Sequence, residues 1–306
     1  MPEQIYNERA MREEICEIGR RVWQREYVAA NDGNISVRLS EREILCTPTG
    51  VSKGYLTPDM LIVIDRAGKI LRGTLKPSSE IKMHRDFYDA RPDVRAVCHA
   101  HPIVATGFAV AGIALDRCTL PEVVITLGSV PLVKYGVPGT DELTVDILEN
   151  YVKDYDAFLL ANHGVVTVGQ SLMNAYYKME TVEHFAKISL VARQLGNENV
   201  FSPGRAQELV DARGRYGVQA GAGCRIEFKD ANYAPEVPMS GAGASGYAAD
   251  NVGAPNRMST SKAANNPAAS TPAAASNSSQ NAEMSESEVA QLVSEIARRV
   301  VSQLQK

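Results

Sequence analysis

The segment "VRAVCHAHP", residues 94–102, alternates apolar and polar residues in the manner of a β-strand, and the rest of the domain is arranged around it. Strand alternation assigns four residues to each face: Val94, Ala96, Cys98 and Ala100 to one, and Arg95, Val97, His99 and His101 to the other. Both imidazoles therefore fall on one face, within reach of a single metal ion. Pro102 lacks a backbone donor, so we expect the strand to end there.

A histidine pair at this spacing is a weak motif when it stands alone. Such pairs also occur on exposed strands without a function, so the pair by itself leaves open both a metal site and two unrelated surface residues. Cys98 falls on the opposite face and is predicted to be a core cysteine rather than a ligand.

A third histidine strengthens the metal interpretation. His163 lies in "FLLANHGVV", residues 158–166, at the end of an apolar strand, and Gly164 after it permits a tight turn. Three histidines at strand ends suit a divalent metal with an open position, as in catalytic zinc sites. Glu80, at the start of a predicted helix, is the best candidate for a fourth ligand. His84 and His184 lie in predicted helices, the first as an ordinary helical contact and the second as a surface or packing residue.

The neighbouring segments predict an α/β domain. Strands are predicted at "NISVRL" (34–39), "EILCTP" (43–48), "MLIVID" (60–65), "GKILRG" (68–73), "FLLANHG" (158–164) and "VVTVG" (165–169). Helices are predicted at 8–28, at 77–92 with a serine cap, and at 171–196, where Gly196 ends the last of them. Because several strands form hairpins, we expect layers around a mixed or antiparallel sheet rather than an all-parallel one.

Composition excludes some classes of function. The formal net charge is −4, so no general attraction to nucleic acid or to anionic membranes is expected. The sequence has no run of eighteen apolar residues, and its first residues are charged where a signal peptide needs an apolar stretch. The five cysteines show no paired spacing and predict free thiols in a reducing, cytoplasmic compartment.

Three short loops are rich in small hydrogen-bonding residues: "NDGNIS" (31–36), "TPTGVSKG" (47–54) and "KPSSE" (76–80). Backbone N–H groups near Gly33 and Gly50, with the hydroxyls of Thr49, Ser78 and Ser79, can surround an anion. Each loop taken singly is equally consistent with a turn or a helix cap. Three of them together with a tri-histidine site favour a phosphorylated ligand.

The motifs "GNIS", "TPTG", "KPSSE", "HAHP" and "NHG", in this order, resemble those of the class II aldolase/adducin family. The resemblance covers roughly residues 5–230, and within the family it is most similar to the L-fuculose-phosphate aldolases. It implies a three-layer αβα domain with a central, mainly antiparallel sheet. It also implies a homotetramer with active sites near the subunit interfaces.

The resemblance further implies roles for individual residues. His99, His101 and His163 would bind one Zn²⁺ per subunit, and Glu80 would be the catalytic acid/base and a possible fourth ligand. The residues implied in binding the substrate phosphate are Gly33, Asn34, Thr49, Gly50, Ser78 and Ser79. Tyr216, in "RYG", resembles an active-site tyrosine near the end of the family domain.

The implied reaction is cleavage of a ketose 1-phosphate, such as L-fuculose 1-phosphate, to dihydroxyacetone phosphate and an aldehyde. One departure affects the substrate: Glu122 stands where the fuculose-phosphate enzymes have a tyrosine from a neighbouring subunit. Two alternatives remain open, a pentulose-phosphate 4-epimerase of the same fold and an adducin-like interaction protein without catalysis. The three histidines and Glu80 favour an enzyme.

Composition changes sharply after the predicted catalytic domain, residues 1–235. Residues 236–284 are dominated by Ala, Ser, Asn, Gly and Pro and are predicted to be a disordered linker, because they cannot bury enough apolar surface. Residues 285–306 have apolar side chains at helical spacing, namely Val289, Leu292, Val293, Ile296, Val300 and Leu304.

This linker and helix resemble the C-terminal targeting peptides of enzymes enclosed in bacterial microcompartments. The resemblance implies that the helix docks in a groove of a shell or cargo protein and that the enzyme lies inside a microcompartment. An oligomerisation helix, or a helix that folds back on its own domain, remains an alternative.

Overall fold

The computed structural model describes residues 7–216 and residue 218. Its centre is an eight-stranded sheet with the order β4-β3-β2-β1-β5-β8-β7-β6. The strands are β1 (Asn34–Arg38), β2 (Glu43–Cys46), β3 (Ile62–Asp65), β4 (Ile70–Arg72), β5 (Ala96–Ala100), β6 (Leu132–Val133), β7 (Ala157–Leu160) and β8 (Gly164–Gly169). All neighbouring strands are antiparallel except the short pair β6 and β7, which are parallel. The predicted mainly antiparallel sheet is confirmed.

Helices cover both faces of the sheet and complete a three-layer domain. They are α1 (Glu8–Gln24), α2 (Ile81–Ala90), α3 (Ile103–Val110), α4 (Pro121–Thr126), α5 (Glu142–Asn150), α6 (Leu172–Gln194) and α7 (Pro203–Ala212). One core lies between the sheet and helices α1, α3 and α6, and a second lies between the sheet and helices α2 and α5. Two separate apolar layers are what a sheet buried on both faces requires.

The alternation predicted for residues 94–102 is present in β5. Cys98 belongs to the first core, whereas Val97 belongs to the second, and His99 follows Val97 on the second face. Val94 precedes the strand and packs in the second core, not on the face of Cys98 as predicted. The strand alternation begins only at Ala96, so it does not determine where Val94 points.

Two helix boundaries differ from the prediction. Helix α1 ends at Gln24 rather than residue 28, because Glu26 adopts a positive φ of 60° that a helix cannot contain. Helix α2 is not capped by a serine side chain: its N-cap residue is Glu80, and the hydroxyl of Ser78 instead accepts a 3.3 Å hydrogen bond from the Glu80 amide.

Three predictions fall on residues that the structure does not describe. They are the domain boundary at 235, the linker at 236–284 and the helix at 285–306. Within the described residues, no helix has the length and apolar character needed to cross a membrane.

Candidate metal and phosphate site

Four polar side chains meet where β5, β8 and the start of α2 come together. His99 and His101 lie at the end of β5, and His163 lies in the turn between β7 and β8. Because β5 and β8 are antiparallel neighbours with His99 opposite Val166, the turn that contains His163 reaches the same sheet edge. Glu80 is the N-cap residue of α2, the helix on the second face of the sheet, and it reaches the site from that face.

The sequence assigns the tight turn to Gly164, but the structure gives this glycine another role. The positive φ in the turn belongs to Asn162, at 56°. A Cβ atom at position 164 would lie 2.5 Å from His101 Cδ2 and 2.7 Å from the carbonyl oxygen of Ala100. Gly164 therefore permits the close approach of β8 to the His101 ring.

The ring nitrogens converge on the Glu80 carboxylate. His99 Nε2 lies 3.3 Å from Glu80 Oε2, and His163 Nε2 lies 3.1 Å from Glu80 Oε1. The Nε2 atoms of His99 and His101 are 3.2 Å apart. One ring nitrogen from each of the three histidines lies within 4.8 Å of the other two, a cluster that the surrounding chain holds together.

The chemistry of these donors fits a divalent metal ion. His99 Nδ1 lies 2.9 Å from the carbonyl oxygen of Val165, so this nitrogen donates its N–H and leaves the Nε2 lone pair free to bind a cation. Glu80 Oε1 is buried, and its contact with His163 Nε2 at 3.1 Å lacks the alignment of a full hydrogen bond. A buried carboxylate oxygen facing an imidazole cluster is an arrangement that a cation stabilises.

Electrostatics keep the carboxylate charged and one imidazole neutral. Burial raises the pKa of Glu80, but the imidazoles of His99 and His163 outweigh burial and hold this pKa well below its usual range. Burial, together with repulsion from His99 and His163, lowers the pKa of His101 to about 4. His101 is thus neutral near pH 7, the form in which imidazole binds a metal.

Two other carboxylates lie near His101 and the segment that follows it. Asp32 Oδ2 lies 3.5 Å from His101 Nδ1, on the side of the ring away from the cluster. Glu183 of α6 is buried and accepts hydrogen bonds from the Val104 and Ala105 amides at 3.2 and 2.9 Å. Those amides open helix α3 directly after His101 and Pro102, so Glu183 anchors the segment that follows the ligands.

A cleft of about 150 Å³ opens beside the cluster. It is lined by Asn31, Asp32, Gly33, Asn34, Pro48, Thr49, Lys53, Ser78, Ser79, Glu80 and His101. All three loops selected from the sequence contribute to it. The second and third are joined by the Pro48–Pro77 bridge and by the Thr49 amide, which donates to the Lys76 carbonyl at 2.9 Å.

Most of the residues predicted to bind phosphate line this cleft, but not all do. Gly33, Asn34, Thr49, Ser78 and Ser79 line it, and their role in binding phosphate remains a prediction. Asn34 also donates from Nδ2 to Glu80 Oε2 at 2.7 Å, which links the cleft to the cluster. Gly50 is exposed and lies outside the lining.

Tyr216 and Glu122 do not take part in the cleft. Tyr216 is 67% exposed at the end of the described chain, and it is absent from the lining. Glu122 is exposed in the first turn of α4.

Two histidines lie outside the cluster. His184 is exposed on α6, in agreement with its prediction as a surface residue. His84 is buried, and its Nδ1 lies 2.7 Å from Ser36 Oγ on β1.

Sequence reasoning missed four of the residues that line the cleft, and two of these four, Asp32 and Lys53, are charged. Both lie inside the loops that the sequence singled out, "NDGNIS" and "TPTGVSKG", so a charged residue within a predicted anion loop was the available signal. Neither is marked by periodicity, because loop residues have none.

Gly33 and Gly50 allow a matched test of the cleft's packing. Both have a φ of +73°, which strains an alanine by about 1–2 kcal/mol. At Gly50 nothing lies within 4 Å of an added Cβ, whereas at Gly33 it would lie 2.7 Å from Val28 Cγ1 and 2.8 Å from the His99 carbonyl oxygen. We expect Gly33→Ala to lower the free energy of unfolding by about 1–3 kcal/mol more than Gly50→Ala, because overpacking adds to the strain. Urea unfolding of both variants measures the difference, and equal losses would contradict the packing.

Comparison with known proteins agrees with this geometry. Residues 13–190 match the family described as the class II aldolase and adducin N-terminal domain. The chain is similar to the 3-oxo-tetronate 4-phosphate decarboxylase of Escherichia coli K12, with 37% identity over 189 residues that cover 60% of this chain and 88% of that protein. It is also similar to the L-fuculose phosphate aldolase of Methanococcus vannielii, with 37% identity over 175 residues that cover 57% of this chain and 91% of that protein.

A solved structure shows the same fold. The crystal structure of YgbL from Klebsiella pneumoniae matches with a TM-score of 0.61 and 34% identity, covering 67% of this chain and 99% of that one. The three-layer architecture predicted from the sequence is thereby confirmed.

Proposed function

The chain belongs to the class II aldolase and adducin family, and on that premise we propose that it is a zinc-dependent lyase that cleaves a carbon–carbon bond in a sugar phosphate. The observation that supports this most directly is the position of the cluster: three imidazoles and Glu80 adjoin a polar cleft lined by three anion loops. The favoured substrate is a ketose 1-phosphate such as L-fuculose 1-phosphate. Its products would be dihydroxyacetone phosphate and lactaldehyde.

We assign separate roles to the residues of the site: the histidines bind the metal, the loops bind the phosphate, and Glu80 transfers a proton. His99, His101 and His163 would hold the zinc ion, which when bound supplies Lewis-acid stabilisation of the negative charge that develops on substrate oxygens. The loops around Gly33, Thr49 and Ser79 would hold the phosphate and fix the ketose in register. Asn34 orients Glu80 through its 2.7 Å hydrogen bond.

Glu80 would act on the carbon of the dihydroxyacetone phosphate half. When the C3–C4 bond of the ketose breaks, its electron pair moves into an enediolate, and the C4 hydroxyl loses a proton as the aldehyde forms. Glu80, which is ionised in the resting site, takes up a proton that originates from the C4 hydroxyl and delivers it to C3, which completes dihydroxyacetone phosphate. This is the general acid/base role of a carboxyl group in a dry site. Tyr216 is predicted to exchange the proton at the aldehyde oxygen.

A decarboxylase is the second candidate, because one similar protein is a 3-oxo-tetronate 4-phosphate decarboxylase. Loss of CO₂ from such a 3-oxo acid leaves the same enediolate and the same product, dihydroxyacetone phosphate. The difference is at the leaving group: CO₂ departs from a carboxylate and needs no base at a hydroxyl. The observation that favours this candidate is the position of Tyr216, which is 67% exposed and outside the cleft lining.

Product analysis tests the proposal. The zinc-loaded full-length protein would be incubated with fuculose, rhamnulose and pentulose phosphates and, separately, with 3-oxo-tetronate 4-phosphate. We expect free aldehyde and dihydroxyacetone phosphate from a ketose 1-phosphate. CO₂ release alone would establish the decarboxylase, and an isomeric pentulose phosphate without aldehyde would establish an epimerase. No turnover of any of them by zinc-loaded protein would reject the lyase and favour an adducin-like role.

The assembly and location are further proposals. We propose a homotetramer, as the family resemblance implies, with residues 285–306 docking on a microcompartment shell or cargo protein. A truncated chain that ends at Ser240 should keep its turnover and its tetramer mass in light scattering but lose association with shell proteins. Dissociation to monomers on truncation would instead make the C-terminal segment an oligomerisation element.

A further inference from the structure

Lys53 is a buried lysine that lines the candidate phosphate cleft. Its side chain is 1% exposed, and it belongs to the loop "TPTGVSKG". Among the described residues that line the cleft, it is the one lysine or arginine. The other formal charges of the lining are the carboxylates of Asp32 and Glu80.

The contacts of its ammonium group leave its charge without a counter-ion. Nζ donates to two neutral backbone oxygens, the carbonyl of Asn31 at 2.7 Å and the carbonyl of Val51 at 2.8 Å. It forms no ion pair with any carboxylate in the described part of the chain. An ammonium group has three N–H donors, so one donor remains beyond these two contacts.

A buried cation is costly unless an anion accompanies it. Burial lowers the pKa of Lys53 to about 8, and Asp32 opposes this shift only in part. Asp32 itself lies 3.5 Å from His101, and Glu80 is held by His99 and His163. Each carboxylate of the cleft thus contacts a histidine, and neither forms an ion pair with Lys53.

We propose that Lys53 is a substrate-binding residue whose ammonium group is the counter-ion of the substrate phosphate. The two carbonyl contacts fix the ammonium group between the first and second anion loops, and its third donor is available to a phosphate oxygen. This inference rests on the proposed function only in that the substrate is phosphorylated. A charge-assisted hydrogen bond of this kind is worth about 10- to 100-fold in affinity.

The test compares the binding of inorganic phosphate by the zinc-loaded wild-type protein and by two variants, measured by calorimetry. Lys53→Met removes the charge and both loop contacts. Lys53→Gln removes the charge but keeps an N–H donor for the carbonyl oxygens of Asn31 and Val51. We expect Kd for phosphate to rise about 10- to 100-fold in both variants, and KM for the phosphorylated substrate to rise more than kcat falls.

Lys178→Met is the matched control. Lys178 is also largely buried and donates to Asp156 Oδ2 and to the Val168 carbonyl at 2.7 and 3.0 Å, but it lies outside the cleft lining. The Lys178→Met protein should bind phosphate with the same Kd as the wild type, even if the substitution makes the protein less stable.

The outcomes separate the two proposals. If Lys53→Gln binds phosphate as tightly as the wild type, the inference is wrong. If both Lys53 variants lose the folded circular-dichroism spectrum or their zinc, Lys53 is structural and the inference is also wrong. If the wild type binds phosphate through Lys53 but cleaves no sugar phosphate, the proposed reaction fails and the inference stands.

Discussion

Replacing His99 with alanine should remove the bound metal and lower kcat/KM by about 1,000-fold or more, the equivalent of several kcal/mol of lost charge stabilisation. The reason is geometric. His99 is 1% exposed, lies 3.2 Å from His101 Nε2 and 3.3 Å from Glu80 Oε2, and is oriented by the Val165 carbonyl. The rings of His99, His101 and His163 form a triangle with centroids 4.8 to 5.1 Å apart, so the substitution removes one of its three corners.

The measurement has two parts, zinc content by elemental analysis and turnover of the phosphorylated substrate. His184→Ala is the control, since His184 is exposed on α6 and is not one of the three clustered histidines. The wild type should also lose turnover in a chelator and regain it with zinc. Full activity after complete metal removal would overturn the assignment.

The local part of this site was predictable from sequence. Alternation in β5 depends only on neighbouring residues, and it correctly separated Cys98 from His99. The convergence of His163 and Glu80 on the pair depends on the order of strands in the sheet. The sequence suggested it only from their places at a strand end and at a helix start, and the family resemblance added support. Helices α3, α4, α5 and α7 were not predicted, because each has only 6 to 10 residues and too few turns to show a clear period.

The burial of Lys53 shows why the rest could not be predicted. Lysine is ordinarily exposed, and nothing in "TPTGVSKG" indicates otherwise. The structure buries this residue because α1 lies very close to it: a Cβ atom on Gly19 would lie 2.6 Å from the Lys53 carbonyl oxygen. That contact joins residues 34 positions apart in the chain, so its effect on Lys53 follows from tertiary packing alone.

Glu80→Gln should lower kcat by about 100- to 10,000-fold, the range expected when a general acid/base is removed. The substitution is nearly isosteric, and a glutamine oxygen can still accept the hydrogen bond from Asn34 Nδ2. The amide cannot exchange a proton with carbon, however, and it carries no charge to balance the imidazoles. We therefore expect zinc to be retained by the three histidines while proton transfer fails.

Hydrogen exchange with solvent measures proton transfer by Glu80 separately from cleavage of the carbon–carbon bond. In D₂O the wild type should incorporate deuterium at the hydroxymethyl carbon of dihydroxyacetone phosphate without any aldehyde present, and Glu80→Gln should not. Glu149→Gln, at an exposed glutamate on α5, is the control and should exchange at the wild-type rate. Zinc loss in Glu80→Gln would make the carboxylate a required ligand, whereas zinc-loaded Glu80→Gln with normal exchange would remove it from the acid/base role. Because the aldolase and the decarboxylase share the enediolate, this exchange tests Glu80 equally under either reaction.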